Sequence, residues 1–233
     1  MTLACAKTLR GKDPIFGRTS IGRTNAVPAS LVGMSESHVF VRPATGLDAS
    51  AMGDIHARTM KAELVAATGA RLAADVEALI DARVFANAWL GTISNPPSSD
   101  HHVLVAVHDG VIAGFVAFCP TVVSDDVVVT PARANVAEQR SSEAAKRVVV
   151  EVTALEVPAA RQRAGHGSRL LAAATDTARQ QGATEIQTWV LAGDDAHIKF
   201  FQAAGFAPAG LRRAVDVGGV LVNEHCWHAL LAE

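Results

Sequence analysis

Apolar positions along the chain change period several times, and each change marks an element. His38 to Arg42 alternates as a short strand and is stopped by Pro43. Asp48 stands as a helix N-cap before a stretch with Met52, Ile55 and Met60 on one side. A second helical region is predicted from Arg71 to Trp89, where Leu72, Val76, Leu79, Ile80 and Val84 recur at helical spacing. Ser94 to Asp100, with Pro96 and Pro97, is a loop. Val103–Val107 and Val111–Phe118 flank His108-Asp109-Gly110 and predict a hairpin, because Asp-Gly tolerates the positive φ of a tight turn. Residues 124–144 match neither period and are treated as an insertion. An apolar strand follows from Arg147 to Val157, then a helix from Ser168 to Gln181 with Leu170, Leu171, Ala174 and Ala178 on its inner face. A strand from Glu185 to Leu191, a helix from Asp195 to Ala204 and two strands turning at Gly218-Gly219 complete the order. Strands interspersed with helices and a hairpin predict an α/β (α+β) sheet covered on both faces.

Composition narrows the function. The 233 residues are 49% hydrophobic and 19% charged, enough for one substantial domain. Residues 1–36 carry Lys7, Arg10, Lys12, Arg18 and Arg23 without periodicity, and are expected to be a flexible extension before a domain over 37–233. The formal net charge of -2 argues against nucleic acid or an anionic membrane as partner. No run approaches the roughly 18 apolar residues of a membrane span. Cys5, Cys119 and Cys226 are odd in number and widely spaced, which fits free thiols and a cytoplasmic location.

The chemistry concentrates where the strand ending in Leu155-Glu156-Val157 gives way to a loop and a new helix. Gly165 and Gly167 stand one residue apart at that junction. Free backbone N–H groups and the positive end of a helix dipole then converge on one spot, which suits a phosphate or pyrophosphate. Arg161 and Arg163 add charge from the rim. The spacing is not the dinucleotide fingerprint, since Leu170 stands where a third glycine belongs, nor a P-loop, since no Gly-Lys-Ser/Thr follows.

Gln162-Arg163-Ala164-Gly165-His166-Gly167 resembles the Gln/Arg-x-x-Gly-x-Gly/Ala signature of the GNAT superfamily of N-acetyltransferases. Asp194 to Phe206, closing on Gly205-Phe206, is similar to that family's later helix. The resemblance implies a mixed, mostly antiparallel central sheet with helices on both faces, in which the fourth and fifth strands splay apart. It implies that acetyl-CoA enters the gap as acyl donor, with no metal. Leu155, Glu156 and Val157 would bind the pantetheine through their backbone. Gln162, Arg163, Ala164, Gly165, His166, Gly167 and Ser168 would hold the pyrophosphate, and the helix carrying Asp194 and Phe201 would flank the cofactor. The expected reaction is direct attack on the thioester by a primary amine of a small molecule or peptide. Dimers are common among such relatives.

The catalytic residues are less defined. Glu151 lies on the fourth strand, where lysine-acetylating relatives keep a glutamate base, and an acid in an apolar run calls for an explanation. Glu156 is the other candidate base; its odd separation from Glu151 predicts the opposite face of the strand. Many relatives use a tyrosine on the later helix to protonate the departing thiolate, but Phe201 stands there and the chain contains no tyrosine. That departure keeps a non-catalytic acyl-CoA-binding sensor as the alternative function. His166 is expected to face solvent near phosphate. His225 and His228, three apart on a strand, point to opposite faces and cannot easily share a metal ion.

Overall fold

The computed structural model describes residues 38–121, 147–217 and 220–231. The N-terminal extension, the 124–144 insertion and the Gly218-Gly219 turn lie outside the described residues. Seven strands form one sheet: β1 (Val39–Pro43), β2 (His102–His108), β3 (Val111–Thr121), β4 (Val149–Glu156), β5 (Glu185–Leu191), β6 (Ala207–Val217) and β7 (Val220–Leu230). Their order is β1-β2-β3-β4-β5-β7-β6. All neighbours are antiparallel except β4 and β5, which run parallel for four residue pairs, from Val149↔Glu185 to Val152↔Thr188. The helices are α1 (Ala49–Thr68), α2 (Ala74–Leu79), α3 (Ala82–Ser94), α4 (His166–Gln180) and α5 (Asp195–Ala203). Among the described residues no helix is long and apolar enough to cross a membrane.

Local chemistry explains most boundaries. Asp109 and Gly110 both take positive φ, 50° and 79°, so the two-residue turn between β2 and β3 matches the twist of the strands. Asp48 does occupy the N-cap of α1, but its carboxylate does not cap the helix. Instead Arg42 donates to both of its oxygens, at 2.7 and 2.9 Å, and Thr45 donates its backbone N–H at 2.7 Å, clamping the end of β1 to the start of α1. The single helix expected over 71–89 is two. Asp81 accepts from the backbone N–H of Arg83 at 2.6 Å and of Val84 at 3.3 Å, which starts α3 afresh and ends α2 before it. The expected apolar stripe breaks with it. Val76 and Ile80 are buried, but Leu79 and Val84 are 69% and 61% exposed.

Both faces of the sheet are covered. On one, Leu170 of α4 and Phe201 of α5 pack with Phe118, Val150, Val152 and Ile186 of the sheet. Under α1 and α3 lie Met52, Ile55, Trp89, Val105 and Phe115, and this layer continues through Met60, Leu64 and Leu191. Helices α1 and α3 approach so closely at Gly53 that a Cβ there would sit 2.4 Å from the Ala82 carbonyl oxygen and 2.6 Å from the Ala86 nitrogen. That contact draws the next turn of α1, with His56, against Phe85 and Trp89 of α3.

One irregularity in β4 decides the placement of the acidic residues. Ala117 pairs with Ala154 and Phe118 with Val152, leaving Thr153 as an extra residue. Such a bulge resets the alternation of side chains. Val150 and Val152 face the α4 side, whereas Ala154 packs on the α1–α3 side. Glu151 and Glu156 therefore share one face, and the opposite-face expectation fails because simple parity does not count the bulge.

Two stability predictions follow from this packing. Gly53→Ala should destabilise the fold by about 1–3 kcal/mol through overpacking of α1 on α3, measured by denaturant unfolding. Asp48 is held down to about 2, chiefly by the Arg42 hydrogen bonds, then against burial by Thr45. A depressed carboxylate stabilises above its unfolded value near 3.9 and loses that contribution as pH falls toward 2. Wild type should thus lose about 2 kcal/mol between pH 4 and 2 that Asp48→Asn does not. A difference between the two that stays constant with pH would contradict this.

Candidate active site

The site begins where a strand ladder stops. Past Val152↔Thr188, β4 keeps its pairing with β3 as far as Phe115↔Glu156, and β5 keeps its pairing with β7 as far as Leu191↔Glu224. The two central strands therefore diverge. The Thr188 hydroxyl donates to the Val152 carbonyl at 3.1 Å and closes the fork. The bulge at Thr153, whose hydroxyl donates to the Ala117 carbonyl at 3.2 Å, turns β4 away. Backbone groups from Thr153 to Glu156 lose a β5 partner and face a narrow cleft that opens to solvent. Its walls come from Thr153–Glu156, Thr188–Leu191, Glu63 of α1, and Asp194, His197 and Phe201 at and within α5. Of the sequence-predicted residues, Leu155, Glu156, Asp194 and Phe201 thus meet in one cavity.

The glycine-spaced junction forms a second feature beside it. Gly165 takes φ 78° and is the N-cap of α4, with no capping side chain. Among the described residues, the backbone N–H groups of His166, Gly167 and Ser168 at the first turn have no capping side chain from the N-cap position. Arg163 also takes positive φ, 63°, so that left-handed residues bracket Ala164 and curl the backbone into a concavity. Arg169 donates to the Ala164 carbonyl at 3.0 Å and holds the turn. Gln162 donates to the Val157 carbonyl at 3.0 Å, so its side chain braces the end of β4. At Gly167 an added Cβ would sit 3.4 Å from the Phe200 ring, which keeps α4 and α5 in close contact. These residues fit a phosphate group: uncapped donors at a helix dipole's positive end, with Arg161 and Arg163 in the segment leading into it.

His166 departs from expectation. Its ring is 1% exposed, turned beneath the loop, with Nε2 3.2 Å from Nδ1 of His108. Burial holds it below the usual imidazole value, and the charges of His108, Arg169 and Arg161 push in the same direction. Its side chain supports the loop from below, and its backbone N–H is what remains available to an anion.

The two glutamates on β4 differ in their surroundings. Glu151 Oε2 accepts from Gln187 Nε2 at 3.0 Å and Trp189 Nε1 at 3.2 Å, and the residue is not part of the cleft wall. Glu156 is 2% exposed, and its Oε2 has no hydrogen-bond partner among the described residues. Its Oε1 lies 4.0 Å from Nε2 of His56, which is likewise buried and unpartnered. An orphaned buried polar atom costs about 1–3 kcal/mol, so Glu156 Oε2 and His56 Nε2 on neighbouring side chains mark a place for a polar guest. The His56 tautomer is fixed. Trp89 Nε1 is donor-only and lies 3.1 Å from His56 Nδ1, which must accept. Burial holds His56 below the usual imidazole value, so the neutral ring carries its proton on Nε2, toward Glu156.

Sequence reasoning missed His56, Glu63 and His197. Glu63 is buried, and burial followed by repulsion from Glu156 raises it to about 8. His197 donates its Nδ1–H to Asp194 Oδ2 at 2.6 Å and lies with Nε2 4.0 Å from Glu63 Oε1. Burial lowers His197, but the Asp194 hydrogen bond with the charges of Glu63, Asp194 and Glu156 outweighs it and lifts the ring to about 8. A signal was present: His56, Thr59 and Glu63 follow Met52 at helical spacing, placing polar residues in the buried stripe of α1.

His225 is exposed, and His228 Nδ1 lies 2.7 Å from Glu185 Oε1.

Comparison with known proteins places this architecture. No curated protein matches the sequence. Among solved structures, an N-acetyltransferase from Staphylococcus aureus Mu50 aligns with a TM-score of 0.56 at 17% identity, covering 84% of this chain and 100% of its own. The PaiA N-acetyltransferase from Thermoplasma acidophilum, in complex with coenzyme A, gives 0.57 at 14% identity over 83% of this chain and 99% of its own. YncA from Salmonella typhimurium, with acetyl-CoA, gives 0.53 at 19% identity over 84% and 96%. At such identities the likeness carries the fold. The Acetyltransferase (GNAT) family model, however, matches residues 74–206, more than half of the 233, and the chain belongs to that family of acetyltransferases.

Proposed function

We propose that this protein is an acetyl-CoA-dependent N-acetyltransferase that acts on a primary amine of a small molecule or peptide, in the cytoplasm. The observation that carries the reading is the break in β4–β5 pairing after Val152↔Thr188, which opens backbone on β4 beside an uncapped helix start. Pantetheine amides would pair with the open edge at Leu155, Glu156 and Val157, as an added strand does. The pyrophosphate would sit on the backbone of residues 162–168, with Arg161 and Arg163 adding charge. Asp194 and Phe201 wall the reactive end.

The base in this reading is Glu156. A lysine-like amine near 10.4 costs about 4 to 5 kcal/mol to neutralise at pH 7, and an α-amine near 8 about 1 to 1.5, so a base contributes to either. Glu156 lines the cleft with Oε2 uncommitted, and His56 Nε2 lies 4.0 Å from its other oxygen. Glu151, the alternative from sequence, has its Oε2 held by Gln187 and Trp189 and does not line the cleft.

Thiol release from acetyl-CoA across a panel of polyamines, amino acids, antibiotics and peptide N-termini tests the activity. Turnover of at least one amine is expected; tight CoA binding with no turnover throughout would favour the non-catalytic sensor suggested by Phe201. Glu156→Gln should lower kcat by about 10²- to 10⁴-fold while Kd for CoA stays within about twofold. Arg161→Gln with Arg163→Gln should raise Kd for CoA about three- to thirtyfold and flatten its salt dependence, measured by calorimetry. An unchanged Kd would place the phosphates elsewhere.

A further inference from the structure

Expulsion of the CoA thiolate raises a question that the tyrosine-free sequence leaves open. The wall position on α5 is Phe201, 3% exposed, which has no proton to give. One helical turn earlier, His197 lines the same cleft and stacks against Phe201 with ring centroids 6.5 Å apart. Its orientation is set at one end only. Asp194, the N-cap of α5, holds Nδ1 at 2.6 Å, which leaves Nε2 pointing away from the cap. The nearest acid to Nε2 is Glu63 of α1 at 4.0 Å, beyond hydrogen-bond range, so the Nε2 proton is uncommitted. The ionisable groups facing the ring are Asp194 from the β5–α5 turn, Glu63 from α1, itself raised to about 8, and Glu156 from β4, all carboxyls.

We propose that His197 is the catalytic acid, its Nε2–H protonating the sulfur as the thioester C–S bond breaks. The inference rests on the transferase reading above. In the step, the amine nitrogen bonds to the thioester carbon and the C–S electron pair leaves on sulfur. Sulfur takes the proton of His197 Nε2, and the proton lost by the amine nitrogen goes to Glu156. Glu156 then releases a proton to solvent and His197 takes one up, so the products are the acetamide and free CoA thiol with no net proton change. An imidazole raised to about 8 is charged at neutral pH and suits the task. The carboxyls around it also keep the positive charge local to the cleft, where negative charge develops on sulfur.

The size of the effect is bounded. A thiol near 8.5 leaving as thiolate at pH 7 forfeits about thirtyfold, so His197→Ala and His197→Gln should each lower kcat about ten- to a hundredfold with Kd for CoA unchanged. The pH profile separates chemistry from structure. In the wild type, kcat/KM for the amine should stop rising as pH passes about 8 and turn down once the amine is also neutral, whereas both variants should lack that break and rise to the amine's own pKa. Adding Phe201→Tyr to His197→Ala should restore at least tenfold in rate, with a new alkaline limb nearer 10, the phenol range. NMR titration of His197 in the ligand-free protein should give a midpoint near 8, independent of any activity. Rates within threefold of wild type in both variants, or a break near 8 that survives loss of His197, overturn the assignment, as does an imidazole midpoint near 6.5. A wild type that binds CoA but turns over no amine overturns the transferase reading and this step with it. Failure of the acid assignment alone shows as wild-type turnover indifferent to His197.

Discussion

Two parallel strands that cannot stay paired create the working part of this molecule. Between β4 and β5 the ladder holds for four residue pairs and then ends at a Thr188 hydroxyl bonded to the Val152 carbonyl. Unpaired backbone in a sheet centre is costly unless something satisfies it. Each strand meets part of that cost through its outer neighbour, β3 for β4 and β7 for β5, so the fork is stable while its inner edges remain open. The α1–α3 layer and the α4–α5 layer close on either side, and both contribute side chains to the gap.

The same irregularity that opens the fork aligns its chemistry. Thr153 is inserted into β4 opposite the Ala117–Phe118 step, and the strand changes face there. Without it Glu156 would project toward α4. With it, Glu156 projects toward His56, whose tautomer Trp89 fixes. The close approach of α1 to α3 at Gly53 is what brings Trp89 within reach of His56. On the opposite wall, the N-cap of α5 does two jobs: Asp194 receives the His197 backbone N–H at 3.1 Å and its side chain at 2.6 Å. Packing, capping and charge are thus coupled at each catalytic candidate.

Much of this was legible in the residues. Turn chemistry at Asp109-Gly110, the apolar run of β4 and the glycines at 165 and 167 located the hairpin, the central strand and the uncapped helix to within three residues. The family resemblance implied the fork, and the ladder has it. What failed did so for identifiable reasons. Period counting joined α2 to α3 because Asp81 interrupts the backbone without interrupting the hydrophobic spacing. Parity misplaced Glu151 and Glu156 because a bulge is invisible to alternation. His166 was expected in solvent because its pairing with His108, 58 residues away, has no local signature. Glu63 and His197 matter only together, and nothing in either segment announces the other.

Hydrogen exchange with and without CoA addresses the central claim most directly, since it reads the fork and the helix start at once. Binding should slow exchange of the amides along 155–157 on β4 and 165–168 at the start of α4, and leave the β6–β7 pair unchanged. Protection spread evenly over the sheet, or confined to surfaces remote from β4 and β5, would contradict the account.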